Sequence, residues 1–129
     1  MDYYRPVPGT QVEDLETPCL LVDLDAVEHN FRVVADTYRD TECKMRQHTK
    51  NIKSPRLAKM QIEAGGTVGG VCTAKLSEAE VMVEGGVENI LVSSEVVSAS
   101  KLRRLAALTR HTKLMVVVDH PKGAEMLSA

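Results

Sequence analysis

The feature that most constrains this chain is a recurrence. Short apolar runs alternate with helix-compatible segments at roughly 25-residue spacing, and two of the helical segments stop at glycine pairs, Gly65-Gly66 and Gly85-Gly86. The runs are Cys19 to Leu24, Glu42 to Thr49, Thr67 to Thr73, Val87 to Val92 and Leu114 to Val118. Between them, Asp25-Ala26-Val27-Glu28 and Ser77-Glu78-Ala79-Glu80 read as capping boxes, and Ser54-Pro55 as an N-cap with a first-turn proline. Ser98 or Ser100 caps an amphipathic helix with Leu102, Leu105, Ala106 and Leu108 on one side, and Asp119 with Pro121 opens a last one. Strand-helix alternation of this kind predicts an α/β fold with a parallel sheet. An eight-unit barrel needs about 250 residues, so five units in 129 residues predict a partial (β/α)8 barrel belonging to a longer protein. The alternative is a complete, small, doubly wound sheet, for which the length is comfortable.

Composition bounds the partners. With 43% hydrophobic and 26% charged residues the balance is that of an ordinary soluble domain. A formal charge of -2 gives no electrostatic case for nucleic acid or an anionic membrane surface. Cys19, Cys43 and Cys72 are odd in number and widely spaced, which suggests neither a disulfide framework nor a zinc knuckle. His29, His111 and His120 show no metal-ligand spacing. The N-terminus lacks the apolar core of a signal peptide, so a cytoplasmic protein is expected. Residues 1–17, with Pro6, Pro8 and Gly9, read as an irregular lead-in, and residues 18–129 as the barrel part. Gly65 to Gly70 precede or occupy a strand, whereas a Rossmann or Walker loop must follow one and open a helix.

Chemistry concentrates in Lys44 to Pro55. On a strand, Arg46, His48 and Lys50 point one way, and Met45, Gln47 and Thr49 the other. Parallel sheets are covered on both faces, so a buried row of three basic groups requires anionic partners. A lysine desolvated beside other cations becomes a usable amine nucleophile, as Schiff-base chemistry requires. The bland reading is a solvated strand face. Arg103, Arg104 and Arg110 lie largely off the apolar stripe of their helix and read as a solvated face.

The run Arg46-x-His48-x-Lys50-x-x-Lys53-Ser54-Pro55 resembles the cofactor-lysine segment of the D-threonine aldolase and D-serine dehydratase family. These are fold-type III pyridoxal-phosphate enzymes with an alanine-racemase-like barrel. Glu16 to Asp25, Ala74 to Val81 and Val116 to Asp119 resemble the same family in the same order, so the resemblance spans nearly the whole chain. It implies a lyase acting on β-hydroxy D-amino acids, with Lys50 carrying pyridoxal phosphate as an internal aldimine. It also implies that His48 stacks on or hydrogen-bonds the cofactor, that Arg46 engages its phenolate oxygen or a carboxylate, and that Thr73 or Ala74 approaches its ring. Structural ion pairing is the competing role for His48 and Arg46. Lys53 is expected to be a surface lysine. Asp23 and Asp119 end strands and either balance site charge or cap the next helix, capping being favoured for Asp119. The resemblance further implies a divalent metal (Zn, Mn or Mg) bound outside these residues, and a homodimer when full-length. Members commonly carry Pro at Gln47 and Thr-His at Asn51-Ile52, so the subfamily and substrate stay open. An amino-acid racemase and a non-catalytic pyridoxal-phosphate carrier are the alternatives. Half a barrel leaves strand edges and an apolar face uncovered, so this chain alone is expected to be inactive and to associate.

Overall fold

A computed structural model describes residues 4–128. The first three residues of the expected lead-in and Ala129 lie outside the described residues. The rest of the lead-in is irregular apart from a single 3-10 turn, Val12–Asp14. The elements that follow are α1 Leu24–Tyr38, β1 Met45–His48, α2 Pro55–Ala64, β2 Thr67–Thr73, α3 Leu76–Glu84, β3 Asn89–Val92, α4 Ala99–Leu108, β4 Lys113–Val116 and α5 Pro121–Ser128.

All strand pairs are parallel and the sheet order is β1-β2-β3-β4. Each new strand is therefore added on the same side of the last. A doubly wound sheet reverses its strand order at a switch point, and no reversal occurs among these strands. The sequential winding is that of part of a barrel.

One face of the sheet holds the core. Val71 of β2 and Ile90 and Val92 of β3 pack with Ala58 of α2, Ala79 and Met82 of α3 and Leu105 of α4. Ile90 and Val92 are fully buried and Met82 nearly so. Each large side chain buried in this way contributes roughly 1.5–3 kcal/mol. The opposite face, carrying Arg46, His48, Cys72, Leu91 and Met115, is open among the described residues.

The expected first strand does not form. Leu20 is 98% exposed, and Leu21, Val22 and Leu24 are exposed as well. A run that is apolar at every position needs sheet neighbours and cover on both faces, and the described residues give it neither, so β1 is the edge of the sheet. Instead Asp23 starts α1 directly, its Oδ1 accepting from Ala26 N at 3.0 Å. The cap therefore lies before the predicted Asp25 box, and Asp23 is a capping residue.

Other caps also move. Ser54 caps α2 and Ser98 caps α4, as the sequence predicts. In α3 the first turn begins at buried Leu76, and Glu78 reaches back to Ala74 N (2.9 Å) and Lys75 N (3.3 Å) in place of the expected Ser77 box. At α5 it is the His120 ring, not Asp119, that accepts from a helix N–H, that of Lys122, at 3.1 Å. Glu80 and Arg104 tie α3 to α4 through two hydrogen bonds, Nε donating to Oε1 at 2.7 Å and Nη2 to Oε2. Arg103 and Arg110 are exposed.

Candidate functional site

The site grows from the alternation of β1. Gln47 is buried against the helices, its Nε2 donating to Ala58 O at 2.9 Å, and Thr49 is buried beside it. Arg46 and His48 therefore project from the open face, as the alternation predicts. Lys50 lies beyond the strand end, in a turn closed by Ile52 N (3.2 Å) and Lys53 N (2.7 Å), both donating to Thr49 O. Its side chain is exposed. The expected buried row of three cations is thus a half-buried pair followed by an exposed amine.

Nor are the partners anionic. Arg46 Nη1 donates to Val71 O and to Asn89 Oδ1, each at 3.1 Å, while Asn89 Nδ2 donates to Val68 O at 3.2 Å. Neutral acceptors suffice because the guanidinium is only partly buried and keeps access to solvent. This network depends on a register shift. Met45 pairs with Thr67 but Gln47 pairs with Val71, so β2 carries two extra residues there. Gly69, at φ +69°, makes the bulge. At Gly70 an added Cβ would lie 2.3 Å from Asn89 O, so the close approach expected of this glycine pair is made by the neighbouring strand.

His48 is held on both ring nitrogens. Nδ1 accepts from Lys50 N at 3.2 Å, and Nε2 lies 3.4 Å from Ser93 Oγ. Ser93 is itself tied to the end of β2, its N donating to Thr73 O at 2.9 Å and its Oγ to the same carbonyl at 3.1 Å. In register, His48 faces Cys72, which faces Leu91.

The remaining predicted residues separate. Thr73 is fully buried, and alternation with Val71 turns its side chain toward the helices. Ala74 is half-buried at the rim and held by Glu78. Lys53, at φ +42°, is a largely exposed lysine with Nζ 4.0 Å from Glu78 Oε1. Asn89 and Ser93 escaped the sequence reading. Alternation along β3 places them on one face, but only the inter-strand register brings them to Arg46 and His48.

The surroundings of Lys50 suit the aldehyde end of pyridoxal phosphate. An exposed primary amine stands past the carboxyl end of a parallel strand, and the open-face side chains beside the preceding His48, Cys72 and Ser93, are small. Among the described residues no group of three or more His, Cys, Asp or Glu is placed to hold a metal ion. Among them, too, no helix is long and apolar enough to cross a membrane.

Comparison with known proteins gives concordant results. Residues 22–129 match the family model described as alanine racemase, N-terminal domain. The chain is 40% identical over 124 residues to a 3-hydroxy-D-aspartate aldolase of Paracoccus denitrificans, covering 95% of this chain and 32% of that protein. It is 34% identical over 121 residues to a D-threonine aldolase of an Arthrobacter species, covering 94% and 31%. The crystal structure of D-threonine aldolase from Filomicrobium marinum superposes with a TM-score of 0.84 at 42% identity, over 91% of this chain and 31% of that one. The chain thus spans about a third of the length of the relatives it matches.

Proposed function

We propose, from the premise that the chain belongs to the alanine racemase N-terminal domain family, that the full-length protein is a pyridoxal-phosphate-dependent lyase of β-hydroxy D-amino acids. Lys50 is the residue that holds the cofactor. The observation that carries the reading is the position of Lys50: an exposed residue in the turn that directly follows β1, on a chain whose relatives are named as D-threonine and 3-hydroxy-D-aspartate aldolases. When bound, pyridoxal phosphate supplies an electron sink for bonds to the substrate's Cα.

This chain's own residues do the holding. Lys50 Nζ supplies the amine. The His48 ring, through Nδ1, fixes the backbone N–H from which that side chain departs. Arg46 is anchored by Val71 O and Asn89, so it contributes a fixed positive charge on the open face. Aldol cleavage removes the proton of the β-hydroxyl, and dehydration removes the one on Cα; both belong to the reaction class proposed. The divalent metal that the resemblance implies would take its ligands from outside these residues, since among the described residues no group of three or more His, Cys, Asp or Glu is placed to hold one.

The test is borohydride reduction of the full-length protein loaded with pyridoxal phosphate, followed by peptide mapping. A pyridoxyl group on Lys50, absent from Lys50→Ala, together with cleavage or dehydration of D-threonine, D-serine or 3-hydroxy-D-aspartate, is the expected result. An adduct spread over surface lysines would end the assignment of Lys50.

A further inference from the structure

We propose that Ser93 is a positioning residue: it fixes His48 in the neutral tautomer protonated at Nε2, and through His48 it sets the backbone from which Lys50 projects. The inference deepens the cofactor reading of Lys50 and rests on it for its functional consequence.

The argument is one of donors and acceptors. Thr73 O can only accept, and it takes the Ser93 hydroxyl proton at 3.1 Å as well as the Ser93 N–H at 2.9 Å. The hydroxyl is then left with lone pairs to offer His48, so the ring nitrogen 3.4 Å away, Nε2, carries the N–H. On the other side of the ring, the Lys50 backbone N–H at 3.2 Å points at Nδ1, which must be unprotonated to accept it. Two independent constraints therefore select the same tautomer. Which nitrogen of an imidazole bears the proton is set by the bond the other one makes, and here both bonds are present. The chain of contacts runs from the end of β2, through Ser93 at the end of β3, to His48 at the end of β1 and the turn of Lys50. Three strand ends are thereby held in one arrangement. A proton on Nδ1 would break the contact with Lys50 N and leave the turn held only by the two bonds to Thr49 O.

The experiment uses the full-length protein with 15N-labelled histidine, the His48 signals being assigned by their loss in His48→Gln. In the wild type, the neutral ring is expected to show Nε2 in the protonated range and Nδ1 in the unprotonated range. Ser93→Ala, which leaves only the Lys50 N–H to select the tautomer, is expected to move the two part of the way toward averaged values, and Ser93→Thr, which keeps the hydroxyl, to restore them. The rate at which pyridoxal phosphate adds to Lys50, followed by absorbance and borohydride trapping, should fall about 5-fold in Ser93→Ala, the effect of one neutral hydrogen bond, and recover in Ser93→Thr. Unchanged His48 signals in Ser93→Ala overturn the proposal whatever happens at Lys50. His48 signals that respond as expected while no adduct forms on Lys50 overturn the cofactor reading and support the tautomer assignment.

Discussion

Replacing Gly70 with alanine tests how closely β2 and β3 approach beneath the site. The added Cβ would sit 2.3 Å from Asn89 O, 2.5 Å from its Cγ and 2.6 Å from its Cβ. Ordinary contact begins about 1 Å farther out, at roughly 3.5 Å, and the nearest atom is main chain, so the strands must separate. Overpacking of this kind costs about 1–3 kcal/mol. Displacing Asn89 also loosens its bonds to Arg46 and Val68 O, each contributing about 1 kcal/mol. A total of about 3–5 kcal/mol is expected. With a urea slope of about 2 kcal/mol per molar, the midpoint should drop by roughly 2 M, followed by far-UV circular dichroism. Gly69 supplies the control. Nothing lies within 4 Å of its built Cβ, but its φ is +69°, so Gly69→Ala bears only the left-handed backbone cost of about 1–2 kcal/mol. Adding Asn89→Gly to Gly70→Ala should not restore stability, because the main-chain oxygen remains in place. A Gly69→Ala variant less stable than Gly70→Ala, or full rescue by Asn89→Gly, would refute the close-approach argument.

Thr73 and the Glu80–Arg104 pair give two further tests. Thr73 Oγ1 is buried and finds no hydrogen-bond partner among the described residues, so Thr73→Val removes a desolvation cost of about 1–3 kcal/mol. It is expected to leave stability unchanged or raised and pyridoxal-phosphate affinity unaltered; a loss of more than about 1 kcal/mol would show that the hydroxyl is bonded. The hydrogen bonds from Arg104 to Glu80, and the charge of that carboxylate, raise the guanidinium pKa above its ordinary value. A raised folded pKa means that the contribution of Arg104 is fully present below the ordinary value and is lost only as pH rises through the folded one. Salt is therefore the better probe: Glu80→Gln should shift the urea midpoint far less than Gly70→Ala, and 1 M NaCl, where the screening length is about 3 Å, should shrink that shift further.

The sequence showed the winding but not all of its partners. Apolar runs punctuated by Ser54-Pro55, Ser98 and the glycine pairs located α2, α4 and the ends of α2 and α3, because caps and stops are local hydrogen-bonding chemistry. Thr67 to Thr73 was legible at both ends. Cys19 to Leu24 was misread because strand formation is not local: its apolar pattern states a need for neighbours and cannot state whether they are at hand. Asp119 and His120 show a finer limit. Both side chains can accept a helix N–H, and the choice between adjacent residues turns on backbone angles that composition does not contain.

The site was legible to the extent that it depends on parity. Period-two alternation put Arg46 and His48 on one face and Gln47 and Thr49 on the other, and packing against Ala58 confirms which face is which. What the sequence could not supply is height. Had the Met45–Thr67 pairing continued regularly, His48 would stand opposite Gly70; the two extra residues of β2 bring it opposite Cys72 instead. Because the shift is an even number, every side chain keeps its face. The level changes by two residues, about 6.6 Å along the strand, far more than the span of a hydrogen bond. That displacement brings the end of β1 level with the carbonyl of Thr73, where Ser93 is anchored. Gly69 and Gly70 are therefore more than tolerated gaps in a strand. By allowing the bulge, they decide which neighbour His48 meets, and so how the turn carrying Lys50 is held.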